Sequence, residues 1–406
     1  MKKLLVISYS LLFAALFTAC TKGSNYNEVV SKDKTVPPAV SNVRVENLAG
    51  AAQLTYDLPK SDNILYVKAD YFIRDGVKRQ TTASYYGNKM LLDGFADAKE
   101  YEVTLTVVSR ASVSSQPVTI KVNPGTPPYK LAYQKLLANQ DFGGVYATMT
   151  NGTGSNVGLT ILKYDSLYNV MKPVMQKFSK DSVMTLTVRG YNPVNYYWGF
   201  VVSDQFGNHT DTLFKWITPI LETQMDKSLF KTFPLPTDPA ENWPMRYLWD
   251  GNLTGDNPGS WRALGGSLSP VVCTFDMGVS ARLSRFRLWG RGGAFAFTNE
   301  NVKEFAMWGS NQPIPKDALL PVGATKGLVV GDWICLGRFQ HPPKPSGLPV
   351  GQNSAEDNAL YAAGFEFEFD KDIPPVRYMR LAAETIMQGG GNVIVRELTF
   401  HGQVIK

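Results

Sequence analysis

The sequence predicts an all-β protein built from β-sandwiches. Short runs of residues alternate between apolar and polar side chains, which is the period of two expected for half-buried strands. Tyr101, Val103 and Leu105, for example, alternate with Glu102 and Thr104. Turn-forming residues separate these runs at intervals of roughly ten residues, and helical periodicity is almost absent. Strands at this spacing are typical of sandwiches and not of parallel sheets with crossover helices.

The N-terminus has the features of a secretory signal peptide at residues 1–19. Lys2 and Lys3 come before a short apolar stretch, and two small residues precede Cys20. The apolar stretch is too short to span a bilayer. A cysteine in this position resembles a bacterial lipobox, in which the cysteine is acylated and becomes the first residue of the mature chain. The alternative is an ordinary signal peptide with a chance cysteine.

The lipobox resemblance implies that the chain is exported and anchored in a membrane through Cys20. Each methylene of an acyl chain that enters the bilayer contributes about 0.8 kcal/mol, so several chains anchor a protein stably. Residues 20–35 are small and polar, and we expect them to form a flexible tether. The formal net charge of +6 is spread along the sequence and does not indicate a nucleic-acid partner.

Two cysteines remain beyond the anchor, Cys273 and Cys335, and both lie in apolar, strand-like runs. Their spacing leaves two interpretations open. They are either two buried thiols or a disulfide, which an exported compartment would permit.

Residues 36–124 are predicted to form the first sandwich. The start Pro-Pro-Ala-Val-Ser-Asn-Val at 37–43, the strand Leu-Thr-Tyr-Asp-Leu-Pro at 54–59 and the strand that begins at Tyr101 are similar to a fibronectin type III domain. A linker is expected at 123–128, because proline removes donors from a strand ladder and glycine turns the chain.

Residues 129–221 are predicted to form a second, immunoglobulin-like β-sandwich. Met184, Leu186 and Val188 alternate with threonines, as in a half-buried strand. The aromatic run at 196–202 has the composition of a buried strand.

Residues 236–406 contain a set of motifs that indicates the third domain. In chain order they are Leu-Trp-Asp-Gly-Asn at 248–252, Cys-Thr-Phe-Asp-Met-Gly at 273–278, Leu-Ser-Arg-Phe-Arg-Leu-Trp at 283–289, Val-Lys-Glu-Phe-Ala-Met-Trp-Gly-Ser-Asn at 302–311, Arg-Tyr-Met-Arg-Leu at 377–381 and Val-Arg-Glu-Leu-Thr-Phe-His-Gly at 395–402. The set resembles a discoidin domain, the coagulation factor 5/8 type C fold that family 32 carbohydrate-binding modules share. The resemblance implies a jelly-roll β-sandwich.

The discoidin resemblance also implies a structural calcium site, although no cofactor is required. Many modules of this type hold calcium between an Asp-Gly loop and a glutamate near the C-terminus, and the matching positions here are Asp250, Asn252 and Glu397. Calcium takes several oxygen ligands, including the backbone carbonyls that a tight loop presents. In the alternative interpretation, Asp250 caps a turn and Glu397 faces solvent.

A glycan site is expected on the loops at one end of this domain. Sugar recognition needs aromatic faces for stacking and planar donors for hydroxyl groups. The candidates are Trp261, Arg262, Arg291, Phe295 and Phe297, the last three from a glycine-rich loop. For each aromatic ring, a place in the core is an equally good interpretation.

The sequence contains no catalytic constellation. No histidine pair has metal-ligand spacing, and neither a Gly-x-Ser-x-Gly elbow nor a phosphate-binding loop is present. The whole arrangement resembles Bacteroidetes lipoproteins of polysaccharide-utilisation systems.

This resemblance implies a non-catalytic, lipid-anchored glycan-binding protein of the cell outer membrane. Such a protein captures a polysaccharide or oligosaccharide for uptake by an outer-membrane importer complex. The orientation, towards the surface or towards the periplasm, stays open. The alternative function is an adhesion or assembly protein whose sandwiches bind other proteins.

Overall fold

The structure, a computed structural model, describes residues 31–253, 259–266, 269–388 and 391–405. The predicted signal peptide at residues 1–19 and the predicted lipidation site Cys20 lie outside these ranges. Strands hold 51% of the described residues and helices 7%, which confirms the all-β prediction. Within the described ranges, no helix is both long and apolar enough to cross a bilayer.

Two compact units divide the chain. One runs through Leu137 and adds Ala147–Leu186 and Gly199–Phe214, and the other holds Ala138–Tyr146, Thr187–Trp198 and Lys215–Lys406. Residues 129–221, which the sequence predicts as one sandwich, therefore contribute to both units. The division into three domains stays a prediction.

Residues 36–124 form two antiparallel sheets. The strands are β1 (Ser41–Leu48), β2 (Ala51–Asp57), β3 (Ile64–Arg74), β4 (Val77–Ser84), β5 (Lys89–Asp93), β6 (Tyr101–Ser109) and β7 (Val118–Val122). One sheet has the order β1-β2-β5 and the other β4-β3-β6-β7. Leu54 and Leu92 from the first sheet share one core with Val67 and Val103 from the second. This segment is therefore a β-sandwich.

The next segment begins with a short helix and continues as two sheets. Its elements are α1 (Pro128–Tyr133), β8 (Leu137–Asp141), β9 (Gly144–Thr150), β10 (Val157–Asp165), β11 (Val170–Ser179), β12 (Val183–Val188), β13 (Tyr196–Asp204) and β14 (Leu213–Ile217). The sheet orders are β11-β10-β13-β14 and β12-β9-β8. Trp198, Phe200 and Val202 on β13 are fully buried, whereas Tyr196, Tyr197 and Val201 are half-buried, so the predicted strand is present and one of its faces is buried.

The remaining residues form one large sheet, one small sheet and a helix. The elements are β15 (Thr223–Gln224), β16 (Lys231–Thr232), β17 (Glu241–Trp243), β18 (Trp261–Ala263), β19 (Val271–Trp289), β20 (Val302–Ser310), β21 (Val329–Val330), β22 (Trp333–Gln340), α2 (Ala355–Ala363), β23 (Phe365–Glu368), β24 (Val376–Ile386), β25 (Val393–Val395) and β26 (Glu397–Val404). The large sheet runs β15-β26-β19-β24-β20-β22-β21, with β16 and β23 also paired to β19, and the small sheet runs β17-β18-β25.

The long strand β19 organises the large sheet because it changes partners along its length. Its first half pairs with β24, and its second half pairs with β23 and β26. Gly278 lies at the register break with a φ of +77°. A Cβ there would lie 2.7 Å from the backbone oxygen of Leu229, so glycine is needed for this approach. The segment before β16 is thereby packed onto the sheet.

Cys273 and Cys335 are both buried, free thiols. Of the two interpretations that the sequence left open, the structure has the buried thiols and not the disulfide. Burial raises the pKa of both thiols. They therefore behave as small apolar core residues.

Candidate functional site

A pocket of about 380 Å³ opens on the small sheet of the last segment. It is lined by Trp243, Arg262, Arg291, Phe295, Asn299, Glu300, Asn301, Gln388 and Ile394. A cavity of this volume lies at the small end of the range seen for ligand sites.

The base of the pocket is a row of side chains across the small sheet. Trp243 on β17 pairs with Arg262 on β18, and Arg262 pairs with Ile394 on β25. Directly paired residues of neighbouring strands point to the same face of a sheet. Strand pairing therefore places an indole ring, a guanidinium group and an aliphatic side chain next to one another.

The wall of the pocket is the glycine-rich loop at 291–299, and Asn301 holds it in shape. The Asn301 side chain is 2% exposed. Its Nδ2 donates to the backbone oxygens of Arg291 (3.1 Å), Phe295 (2.8 Å) and Thr298 (3.1 Å), and its Oδ1 accepts from the Arg291 N–H at 2.7 Å. One buried amide thus fixes the loop that carries Arg291 and Phe295.

Cations and aromatic rings alternate around the opening. The Arg291 guanidinium lies 3.6 Å from the centroid of the half-exposed Phe295 ring and 5.7 Å from that of Trp243. The Arg262 guanidinium also lies 5.7 Å from the Trp243 ring. Cations at these distances are attracted to the ring faces. The rings and guanidinium groups therefore hold one another in place.

Arg262 is oriented by a bidentate ion pair with Glu300. Its Nε and Nη2 donate to Glu300 Oε2 and Oε1 at 2.6 and 2.7 Å, and Asn392 Nδ2 donates to Oε1 at 2.9 Å. The hydrogen bonds from Arg262 hold the pKa of Glu300 below its usual range. Glu300 is therefore a carboxylate at neutral pH, and among the described residues it is the single carboxylate in the pocket lining. Glycoside hydrolysis ordinarily uses two.

The structure brings three of the five predicted glycan residues together and separates the other two. Arg262, Arg291 and Phe295 line the pocket. Trp261 is 1% exposed and Phe297 is 4% exposed, so an exposed position for these two rings is wrong. Strand alternation turns Trp261 to the core face opposite Arg262.

Phe297 faces the protein interior for a different reason. It has a φ of +55°, and its ring packs against Tyr361 at 4.9 Å, His341 at 5.6 Å and Phe365 at 6.0 Å between centroids. The ring is thereby enclosed in a small aromatic cluster. It cannot offer a face to a ligand in this conformation.

Trp243 is the pocket residue that sequence reasoning missed. It is half-exposed, and Pro244 follows it directly at the end of a three-residue strand. A tryptophan beside a proline at a strand end is a signal for a ring held at a loop. Its partnership with Arg262 depends on strand pairing, which no local pattern reveals.

The predicted calcium residues are in part brought together. The backbone N–H of Gly251 donates to Glu397 Oε2 at 3.3 Å, which joins the Asp-Gly loop to Glu397. Asp250 Oδ1 accepts from the Asn252 N–H at 2.8 Å, as expected for a residue that caps a turn. Glu397 is 1% exposed and so does not face solvent. Its other oxygen, Oε1, contacts the Lys227 ammonium.

A metal centre finds little support in these contacts. Among the residues that the structure describes, no group of three or more His, Cys, Asp and Glu side chains could hold a metal ion. Burial raises the pKa of Glu397 to about 7 even with the Lys227 ammonium beside it. Calcium binding stays a prediction that needs a direct measurement.

Three family models match consecutive parts of the chain, and each is described as a domain of unknown function. They are DUF4959 at residues 37–124, DUF5126 at 125–228 and DUF5000 at 249–402. A solved SusE-like protein from Bacteroides is 30% identical, with 69% of this chain and 100% of that chain covered and a TM-score of 0.42. The chain belongs to the SusE-like proteins.

Other solved structures are similar to this SusE-like chain at lower identity. The C-terminal domain of a chitobiase from Bacteroides fragilis is 18% identical, covering 45% of this chain and 100% of that chain with a TM-score of 0.31. A family 32 carbohydrate-binding module of a GH31 protein, solved with GalNAc bound, is 13% identical. The match covers 42% of this chain and 95% of that chain, with a TM-score of 0.27. No protein of curated function matches the chain.

Proposed function

We propose that this SusE-like protein is a non-catalytic glycan-binding protein and that the pocket at Trp243, Arg262, Arg291 and Phe295 is its glycan site. The observation that carries the proposal is the row of Trp243, Arg262 and Ile394 across the small sheet, faced by Arg291 and Phe295. Aromatic rings next to fixed guanidinium donors suit a ligand that has both apolar ring faces and hydroxyl groups. A sugar has both.

The chemistry of the lining supports binding without hydrolysis. The Trp243 and Phe295 rings supply flat apolar faces, and the arginines donate several hydrogen bonds in fixed geometry. Asn299 and Gln388 add amide groups to the same lining. The one carboxylate among the described lining residues is already paired with Arg262, whereas glycoside cleavage ordinarily uses two carboxyl groups.

We place the protein at the outer membrane, anchored through an acylated Cys20. This part of the proposal rests on the sequence before Cys20 and on membership of the SusE-like proteins. The anchored chain captures polysaccharide and passes it to an outer-membrane importer. A single pocket of this size is expected to bind weakly, with a Kd on the order of 10–1000 μM, and several anchored copies on one polymer raise the effective affinity.

A binding screen with matched variants tests the site. The full mature chain, produced without acyl chains, is titrated with purified polysaccharides by calorimetry. Trp243→Ala is compared with Trp216→Ala, because Trp216 is a 64% exposed tryptophan on β14 outside the pocket lining. We expect Trp243→Ala to weaken binding at least about tenfold, as for a central aromatic contact, and Trp216→Ala to leave it unchanged.

Two results would contradict the proposal. If Trp243→Ala binds as the wild type does, the glycan site is elsewhere. If the wild type releases reducing ends from a polysaccharide that it binds, the protein is an enzyme and its function class is different.

A further inference from the structure

A second pair of a cation and a carboxylate lies outside the pocket lining. Lys227 Nζ contacts Glu397 Oε1. The Glu397 side chain is 1% exposed and that of Lys227 is 18% exposed. The other carboxylate oxygen accepts the hydrogen bond from the Gly251 N–H. A carboxylate removed from water in this way needs such compensation to remain charged.

Lys227 lies in a short segment whose backbone is fixed by hydrogen bonds and packing. Lys227 begins a 3-10 turn, and the Asp226 side chain caps this turn by accepting from the Ser228 N–H at 3.0 Å. Strands β15 and β16, on either side of the turn, pair with β26 and β19. Phe230, 7% exposed, packs in the domain core 6.4 Å from the Phe400 ring centroid. The ammonium therefore reaches Glu397 from a backbone fixed on both sides.

Two oxygens in the described part of the neighbouring loop also have donors. Asp250 Oδ1 accepts from the Asn252 N–H, and the Asn252 backbone oxygen accepts from Arg396 Nε at 3.2 Å. Calcium takes six to eight oxygen ligands. Here a lysine ammonium contacts Glu397 Oε1 and an arginine guanidinium donates to the Asn252 backbone oxygen, and a calcium ion at these two oxygens would be repelled by both cations. This arrangement does not fit a divalent cation.

We propose that the Lys227 ammonium is the built-in cation of this site and takes the place of a structural calcium ion. Glu397 starts β26, and Gly251 lies in the loop after the 3-10 turn Met245–Leu248. A positive charge between them ties that loop to the sheet. The lysine lies outside residues 249–402, the range of the family model that contains Glu397, so the preceding segment completes the domain. The consequence is a domain that needs no metal.

Thermal unfolding of the full mature chain at about pH 8, with either calcium chloride or EDTA added, tests this proposal. Lys227→Ala is compared with Lys231→Ala, which removes an exposed lysine of the same segment. We expect the wild type and Lys231→Ala to unfold at the same Tm with and without calcium. Lys227→Ala should lower the Tm by roughly 5 °C in EDTA, because Glu397 must then either stay charged without its cation or bind a proton at this alkaline pH.

Calcium should then partly replace the missing ammonium. We expect about 3 °C or more of the loss in Lys227→Ala to return in calcium chloride, and the double variant with Glu397→Gln to show no response. A wild type that binds calcium in calorimetric titration and gains Tm from it overturns the proposal. So does a Lys227→Ala chain that unfolds at the wild-type Tm. Neither result depends on whether the pocket binds a glycan.

Discussion

Two of the ion pairs in the last part of the chain, each between a cation and a glutamate, differ mainly in burial. In the pocket, the side chains of Arg262 and Glu300 are 21% and 20% exposed. At the second site, Lys227 is 18% exposed but Glu397 is only 1% exposed. The Arg262 pair lies beside aromatic rings at an opening, whereas the Lys227 pair joins a loop to the core sheet.

This difference separates a binding role from a structural one. A partly exposed pair contributes at most about 1 kcal/mol to stability, so the protein can use Arg262 for recognition at small cost. Removal of one member of a buried pair costs about 3–5 kcal/mol, because it leaves a charge without water or a partner. This difference agrees with our two proposals, ligand contact for the Arg262 pair and a structural role for the Lys227 pair.

The largest expected effect contrasts the two cations directly. Lys227→Met should lower the free energy of unfolding by about 3–4 kcal/mol at about pH 9.5, because Glu397 must then either stay charged without its cation or bind a proton well above its pKa of about 7. Arg262→Met should change it by about 1 kcal/mol or less. Urea unfolding followed by tryptophan fluorescence measures both. Equal losses in the two variants would remove the distinction between the sites.

Phe295 and Phe297, two identical side chains of the loop at 291–299, allow a second matched comparison. Phe297→Ala should lower the free energy of unfolding by about 3–5 kcal/mol, because it leaves a cavity beside Tyr361. Phe295→Ala should change stability by about 0.5 kcal/mol or less and weaken glycan binding by about tenfold. Urea unfolding and calorimetric titration of both variants check this. A Phe295→Ala chain that binds normally would remove that ring from the site.

The buried glutamate should also make stability depend on pH. Burial raises the pKa of Glu397 to about 7, so the folded domain holds a proton there that the unfolded chain releases near pH 4.5. The contribution of Glu397 to the free energy of unfolding is therefore fully present below about pH 4.5 and is lost as the pH rises through about 7. The loss is ~3 kcal/mol at most. Glu397→Gln should flatten this part of the profile. An unchanged profile in Glu397→Gln would assign the dependence to another group.

The smallest expected effect belongs to Glu300, and its contribution to stability changes with pH in the opposite direction to that of Glu397. The pKa of Glu300 is lowered by the hydrogen bonds from Arg262, so its contribution is present near neutral pH and is lost as the pH falls through the lowered value. At the partial exposure of this pair, Glu300→Gln should change stability by less than about 1 kcal/mol. We also expect weaker glycan binding, because Arg262 loses its orientation. A loss of several kcal/mol would show that this pair is structural as well.

The fold class could be predicted from the sequence because strand alternation is a local signal. Tyr101, Val103 and Leu105 alternate with polar residues, and all three are buried on one face of β6. Two residues of the pocket could also be predicted, because Arg291 and Phe295 belong to a recognisable glycine-rich loop.

The rest depended on register and on contacts between distant residues. Trp261 and Arg262 are neighbours in the sequence, and only the pairing of β18 with β17 and β25 determines which of the two faces the pocket. Lys227 and Glu397 are 170 residues apart, so no local pattern connects them. The discoidin resemblance predicted Glu397 as a calcium ligand, but it did not predict that Lys227 contacts this carboxylate.

The most direct test of the central claim is a crystal structure of the protein with a glycan that it binds in titration. We predict a sugar ring against the Trp243 and Phe295 rings, with hydroxyl groups that accept from Arg262 or Arg291. A sugar bound only at another surface, with the pocket lined by the same side chains and free of ligand, would contradict the account.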